Sequence, residues 1–170
     1  DSLPYGLPEG DRTSLVIALD AGGVSQNAGP NADHFALVAV SRHPERRDEV
    51  AVRMVREWLP PVEFAEVKAA ILDLKDRYNV VCVAYDPYQL ADLAQQLAGT
   101  LWMEAFDQGK RRLIADKSLR DRIVQRRLTR VDHEGLRAAV CNAGIHAYRD
   151  DQALRIVKRV AGKKVDACVA

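Results

Sequence analysis

Apolar residues fall along the chain in bursts of two kinds. Bursts of the first kind are strand-length. The run Leu15-Val16-Ile17-Ala18-Leu19 contains no polar residue and ends on Asp20-Ala21-Gly22-Gly23. A continuous run of this length fits a strand covered on both faces, so a strand is predicted over 14–21. Phe35–Ser41 and Val50–Trp58 form the second and third runs, the third with partial alternation. Gly22–His34, with its Gly, Asn, Pro and Ser, reads as a loop, and His43–Glu49 is charged and turn-like. Three strands in succession with no helical pattern between them predict an antiparallel meander.

Bursts of the second kind have helical spacing. Pro60-Pro61 ends the meander, and Val62–Tyr78 then carries Phe64, Val67, Ile71 and Leu74 on one helical face. Val80–Tyr85 is a fourth strand, stopped at Asp86-Pro87 because proline cannot continue a ladder. Tyr88–Ala98 reads as a helix closed by Gly99, and Leu101–Phe106 as a fifth strand followed by Asp107-Gln108-Gly109. Helices are predicted over Leu113–Leu128 and Glu134–Ala143. A C-terminal β-hairpin is predicted from Ile145–Arg149 and Ala153–Lys158 across Asp150-Asp151, and a last helix over Lys164–Ala170. The fold class is α/β: a mixed five-stranded sheet flanked by helices, strands 1, 4 and 5 parallel neighbours and the meander to one side. Pro4, Gly6, Pro8 and Gly10 mark 1–13 as a linker or lead-in, leaving 14–170 as one domain.

Composition narrows the class. At 170 residues, 48% hydrophobic and 29% charged, the chain can bury a sizeable core. A net charge of +1 selects no partner. Three cysteines (Cys82, Cys141, Cys168) with no CxxC spacing suggest neither a disulfide framework nor a zinc cluster, and a reducing compartment fits. No apolar run approaches the roughly 20 residues that span a bilayer, and no signal peptide is visible. The chain opens on Asp1 and closes inside the apolar pattern 165–170, which is expected of a piece of a longer protein.

Three aspartates share one character. Asp20 and Asp86 each follow a buried strand, and Asp166 opens a helix after Gly162-Lys163-Lys164-Val165. A carboxylate emerging from a core calls for a cation, a hydrogen-bond network or solvent. With strands 1 and 4 side by side, Asp20 and Asp86 fall within reach of one ion, and the last helix can add Asp166. Carboxylate oxygens are what Mg²⁺ and Mn²⁺ prefer. A cluster of this kind can hold two ions about 4 Å apart, activating water and stabilising the leaving oxygen of a phosphodiester.

The ordered set IALDAGG, VAYDPYQ and GKKVDACVA, with FDQG, the charged helix and LTRVDHEGLRAAVCNAG between, resembles the nuclease domain of phage large terminase subunits. That family is a branch of the ribonuclease H-like fold, and the resemblance covers nearly the whole chain. It implies a metal-dependent endonuclease that cuts double-stranded concatemeric viral DNA during genome packaging. Asp20, Asp86 and Asp166 would be the metal ligands and catalytic residues for two Mg²⁺ or Mn²⁺ ions, Asp20 bridging both. It also implies an N-terminal packaging ATPase domain on the same chain, portal and small terminase subunits as partners, no membrane, and the cytoplasm of an infected bacterial host. No GxxxxGK[ST] occurs, as expected of a segment without the ATPase.

Blander roles compete at each position. A strand-end aspartate often caps a turn or helix, Asp86 before Pro87 can open a turn and cap the next helix, and Asp166 suits a helix first turn. Asp33 and Asp107 are auxiliary ligand candidates, with turn residues as the alternative. His34, His133 and His146 could relay protons but read better as structural, since none has ligand spacing. Lys163 and Lys164 could touch the scissile phosphate. Residues 110–130 hold nine cations (Lys110, Arg111, Arg112, Lys117, Arg120, Arg122, Arg126, Arg127 and Arg130) against Asp116 and Asp121. That imbalance favours phosphate contacts with DNA over a merely solvated face, and Arg155, Lys158 and Arg159 could extend the surface. Alternative functions are a Holliday-junction resolvase or transposase-type nuclease of the same fold, a receiver-like module and a non-catalytic DNA clamp. A receiver alternates strand and helix, which the meander opposes.

Overall fold

The computed structural model describes residues 7, 10–22, 33–148, 153–160 and 162–170. Parts of three predicted segments lie outside them: 1–6, 8 and 9 of the lead-in, 23–32 of the first loop, and the Asp150-Asp151 hairpin turn.

The meander is β1 (Leu15–Ala21), β2 (Phe35–Arg42) and β3 (Val50–Trp58). Both pairings are antiparallel, with Asp20 opposite Ala36 and Ala36 opposite Glu57. Helix α1 (Phe64–Arg77) leads to β4 (Val80–Tyr85), helix α2 (Pro87–Leu97) to β5 (Met103–Ala105). Strands β4 and β5 add parallel to the free side of β1. Helix α3 (Lys110–Val124) follows, then β6 (Leu128–Arg130), α4 (Glu134–Asn142), the hairpin β7 (Ala143–Ala147) and β8 (Leu154–Lys158), and α5 (Asp166–Val169). The hairpin pairs antiparallel, as its sequence predicts.

The main sheet has six strands, in the order β5-β4-β1-β2-β3-β6, where the sequence pattern predicts five. The extra strand comes from the end of the helix predicted over 113–128. Leu128 extends the apolar spacing of that helix, but Arg126 turns to φ 56° and breaks it. Leu128–Arg130 then pairs parallel with Val50–Val52.

Two cores cover the two faces of the sheet. On one face, Leu15, Ile17, Leu19, Phe35 and Leu37 pack under Val67, Ile71, Leu74, Leu93 and Leu97 of α1 and α2. On the other, Ala36, Val38 and Val52 pack with Leu136 and Ala139 of α4, Leu154 and Ile156 of β8, and Ala167 and Cys168 of α5. Strand alternation decides which residue meets which layer.

Candidate metal centre

Alternation fixes the surroundings of Asp20. Leu15, Ile17, Leu19 and Ala21 belong to the core under α1 and α2, so Asp20 points to the opposite layer, where α5 packs across β1, β2 and β3. Asp166 opens α5, is 4% exposed, and accepts the backbone N–H of His34 at 3.1 Å. Asp33 precedes His34. It is held by the Lys158 ammonium of β8 and, at 3.6 Å, by Lys164. Asp86 leaves the end of β4, the parallel neighbour of β1.

Gly22 makes this convergence possible. A Cβ at that position would lie 2.1 Å from the carbonyl oxygen of His34 and 2.7 Å from the carbonyl carbon of Asp33. Only glycine lets the backbone entering β2 pass so close to the backbone leaving β1. Gly22, the first residue of the segment read as a loop, is therefore a close-approach site.

The electrostatics follow from the crowding. Burial, then the charge of Asp166, push the Asp20 carboxyl up to about 7, against the pull of Arg112 and with further pushes from Asp33 and Asp86. Burial and the charge of Asp33 likewise raise Asp166, although the His34 N–H and Lys158 oppose them. Burial pushes Asp33 up too, but the hydrogen bond and charge of Lys158, with Lys164, outweigh it and hold that carboxyl below its usual range. Four carboxylates thus share one electrostatic neighbourhood, and Asp20 is the least compensated.

Among the described residues, no three carboxylate, histidine or cysteine groups already close round a single point. The donor set nevertheless suits a hard divalent cation. It is all oxygen, it is crowded with like charge, and its most raised member is pushed up by burial and then by the charge of Asp166, a load that a divalent cation would relieve.

The other predicted residues divide. Asp86 also serves as the N-cap of α2, accepting the Tyr88 N–H at 2.9 Å. Asp107 is exposed and caps its own turn through the Gly109 N–H at 3.1 Å. Lys163 is exposed. His133 caps α4 through Leu136 N–H at 3.2 Å, and His146 is exposed against Tyr148.

The nine cations of 110–130 do not form one row. Arg112 turns inward, 14% exposed at its side chain, and pairs with Asp116 at 3.5 Å. Asp116 is the buried residue of α3 and accepts the Ile156 N–H at 2.8 Å, fastening α3 to β8. Arg111 lies on Glu104 and over Phe106. Lys117 and Arg120 pair with Asp121, Arg127 with Asp48, and Arg130 with Asp132, while Arg122 donates to the Asp48 carbonyl. Lys110 and Arg126 form no ion pair among the described residues.

Two neighbours of the site escape a reading of the sequence. Glu57 stands 3.7 Å from His34 Nδ1. Its signal is its register, opposite Ala36 and in the same row as Asp20. Lys158 reads as hairpin surface but is an ion-pair partner of Asp33.

An antiparallel meander continued by parallel β4 and β5, with carboxylates at the ends of β1 and β4, defines a ribonuclease H-like α/β domain. The fold is that of phage large terminase nuclease domains. The large terminase of bacteriophage HK97 superposes with a TM-score of 0.74 at 17% identity, over 99% of this chain and 39% of that one. The chain therefore spans about two fifths of the HK97 protein's length. The large terminase nuclease of thermophilic phage G20c with bound magnesium gives 0.60 at 12% identity, over 98% and 88%. The large terminase nuclease domain of bacteriophage SPP1 with bound Mn gives 0.57 at 12%, over 89% and 86%. No protein-family profile matches the sequence, and no curated protein matches it.

Proposed function

We propose that the chain is a metal-dependent DNA endonuclease, the nuclease part of a genome-packaging terminase. The observation that carries the reading is Asp20, a half-buried carboxyl pushed up to about 7 beside three other carboxylates, on a fold whose similar structures include ones solved with magnesium and with Mn. Asp20, Asp86 and Asp166 would hold the ions, with Asp33 as an auxiliary ligand released from Lys158 and Lys164. Divalent ions bound there would acidify water and offset the charge of the phosphodiester.

The chain's own residues do the rest. His34 fixes Asp166 through its backbone N–H, and Gly22 brings His34 to that position. Arg112 offsets part of the negative charge at Asp20, so the cluster repels a phosphate less than four bare carboxylates would. Lys158 and Lys164 stand beside the acids and would contact the substrate phosphate once Asp33 turns to an ion. Lys110 would meet the duplex backbone without reading sequence. The substrate in this reading is double-stranded viral DNA, and the partners are an ATPase domain on the same polypeptide, a portal and a small subunit.

Supercoiled plasmid incubated with Mg²⁺ or Mn²⁺ tests it. Nicking is expected, abolished by chelator and by Asp20→Ala. Nicking that persists in Asp20→Ala would remove the proposed site. Absence of nicking together with no divalent-induced rise in melting temperature would remove the metal centre itself.

A further inference from the structure

A cleft of about 1070 Å³ opens at the end of the sheet away from the carboxylates. Register places it. Asp20 is opposite Ala36 near the start of β2, whereas His43 follows the end of β2, and Leu128 is opposite Val50 at the start of β3. At about 3.4 Å per residue, the length of β2 separates the two sites by roughly 20 Å.

The lining carries four guanidinium groups, those of Arg46, Arg126, Arg130 and Arg137, against the single carboxylate of Glu45. Three of the arginines have acidic partners that do not themselves line the cleft. Arg46 pairs with Glu49 at 3.2 Å, and Arg130 and Arg137 share Asp132. A guanidinium has about five N–H donors, so one shared carboxylate leaves most of them unused. Arg126 has no acidic partner among the described residues.

Thr129 supplies an independent observation. It lines the cleft, is 6% exposed, and its buried Oγ1 has no hydrogen-bond partner among the described residues. A buried hydroxyl is rarely left unpaired in a native fold. An acceptor or donor reaching in from the cleft would satisfy it. Beside the arginines, Ile123, Leu128 and Val140 form an apolar wall.

Each half of this lining selects for a different half of a ligand. Guanidinium forks match phosphate oxygens two at a time, and a terminal phosphate concentrates about 1.5 to 2 negative charges on one group. An apolar wall adjoining them has nothing to offer a free oxyanion but covers a base or sugar. The volume is that of a small-molecule site rather than of a single ion. We propose that this cleft binds a nucleotide by its terminal phosphate, the nucleotide being either free or at the end of a DNA strand. The cleft shares no residue with the carboxylate cluster, so this holds whether or not the cluster hydrolyses DNA.

The test titrates the whole chain, with chelator present, against dAMP, inorganic phosphate, and a short duplex carrying either a 5′-phosphate or a 5′-hydroxyl. Calorimetry gives affinity, and amide NMR shifts report at Thr129 and Arg130. A shift at Thr129 is expected with dAMP or with the 5′-phosphorylated duplex. Arg126→Ala/Arg137→Ala is expected to bind at least tenfold more weakly while keeping the wild-type melting temperature, since both side chains are exposed. Thr129→Val, which keeps the shape and removes the hydroxyl, is expected to weaken binding severalfold. Preference for dAMP over the duplex identifies a free nucleotide; a duplex that shifts Thr129 only when it carries its 5′-phosphate identifies a strand end. No shift at Thr129 with any probe overturns the proposal. So does binding unchanged in the double variant, or inorganic phosphate binding as tightly as dAMP.

Discussion

At the scale of single residues, Asp20 links acidity to stability and, in the proposed function, to metal binding. Its carboxyl titrates near 3.8 when unfolded and at about 7 in the fold. A raised carboxyl binds its proton more tightly in the native state, so its contribution is complete below pH 3.8 and is lost as pH rises through about 7. Asp166 is raised as well and acts with the same sign. Melting temperatures with chelator present should therefore fall between pH 4 and pH 7, and Asp20→Asn should flatten that slope and raise the melting temperature near pH 8. A steeper slope in Asp20→Asn would contradict the assignment. A cation must displace the same proton, so apparent Mn²⁺ affinity should drop about tenfold per pH unit below 7; calorimetry across pH checks this. Gly22→Ala forces a Cβ against the His34 carbonyl. It should cost about 2 kcal/mol or more in urea unfolding and lower Mn²⁺ affinity in the fraction that folds.

Among elements, the two layers over the sheet differ in kind. Helices α1 and α2 are held by burial. Ile71 is fully buried, and Ile71→Ala should cost about 2–5 kcal/mol. Helix α3 packs Leu119 on the second core but adds polar anchors, and Asp116 is the residue it buries. Ile114 on α3 is 68% exposed, and Ile114→Ala should stay within about 0.5 kcal/mol of wild type by the same urea measurement. The sequence pattern over α3 is legible as a helix but not as this kind of helix. Its charges read as a surface for DNA, whereas Arg112 and Asp116 face inward. The end of α3 is less legible still. Leu128 continues the helical spacing, and only the positive φ at Arg126 and the free edge of β3 convert 128–130 into a strand.

For the molecule as a whole, the positive groups are distributed rather than aligned. Lys110→Ala, with no acidic partner to release, should weaken duplex binding about equally for all sequences and lower the salt dependence. Arg112→Ala should leave duplex affinity nearly unchanged and shift the Mn²⁺ response, because its charge acts on Asp20. Fluorescence anisotropy over a salt series, beside Mn²⁺ titrations, separates the two; an Arg112→Ala variant that loses duplex affinity and keeps its Mn²⁺ response would reverse the division.

The strand runs, the meander, the parallel placement of β4 and β5 and the hairpin are all written locally, in apolar period and in breakers such as Pro60-Pro61 and Pro87. Asp20 and Asp86 are legible for the same reason, since each stands where an apolar run stops. What local pattern cannot carry is orientation between distant segments. The buried site of Asp166, the neutralising of Asp33 by Lys158, the row from Asp20 to Glu57 and the cleft shared by Arg46, Arg126 and Arg137 join residues far apart in the chain. Their positions follow from register, from strand alternation and from a glycine close contact, which arise only when the layers pack.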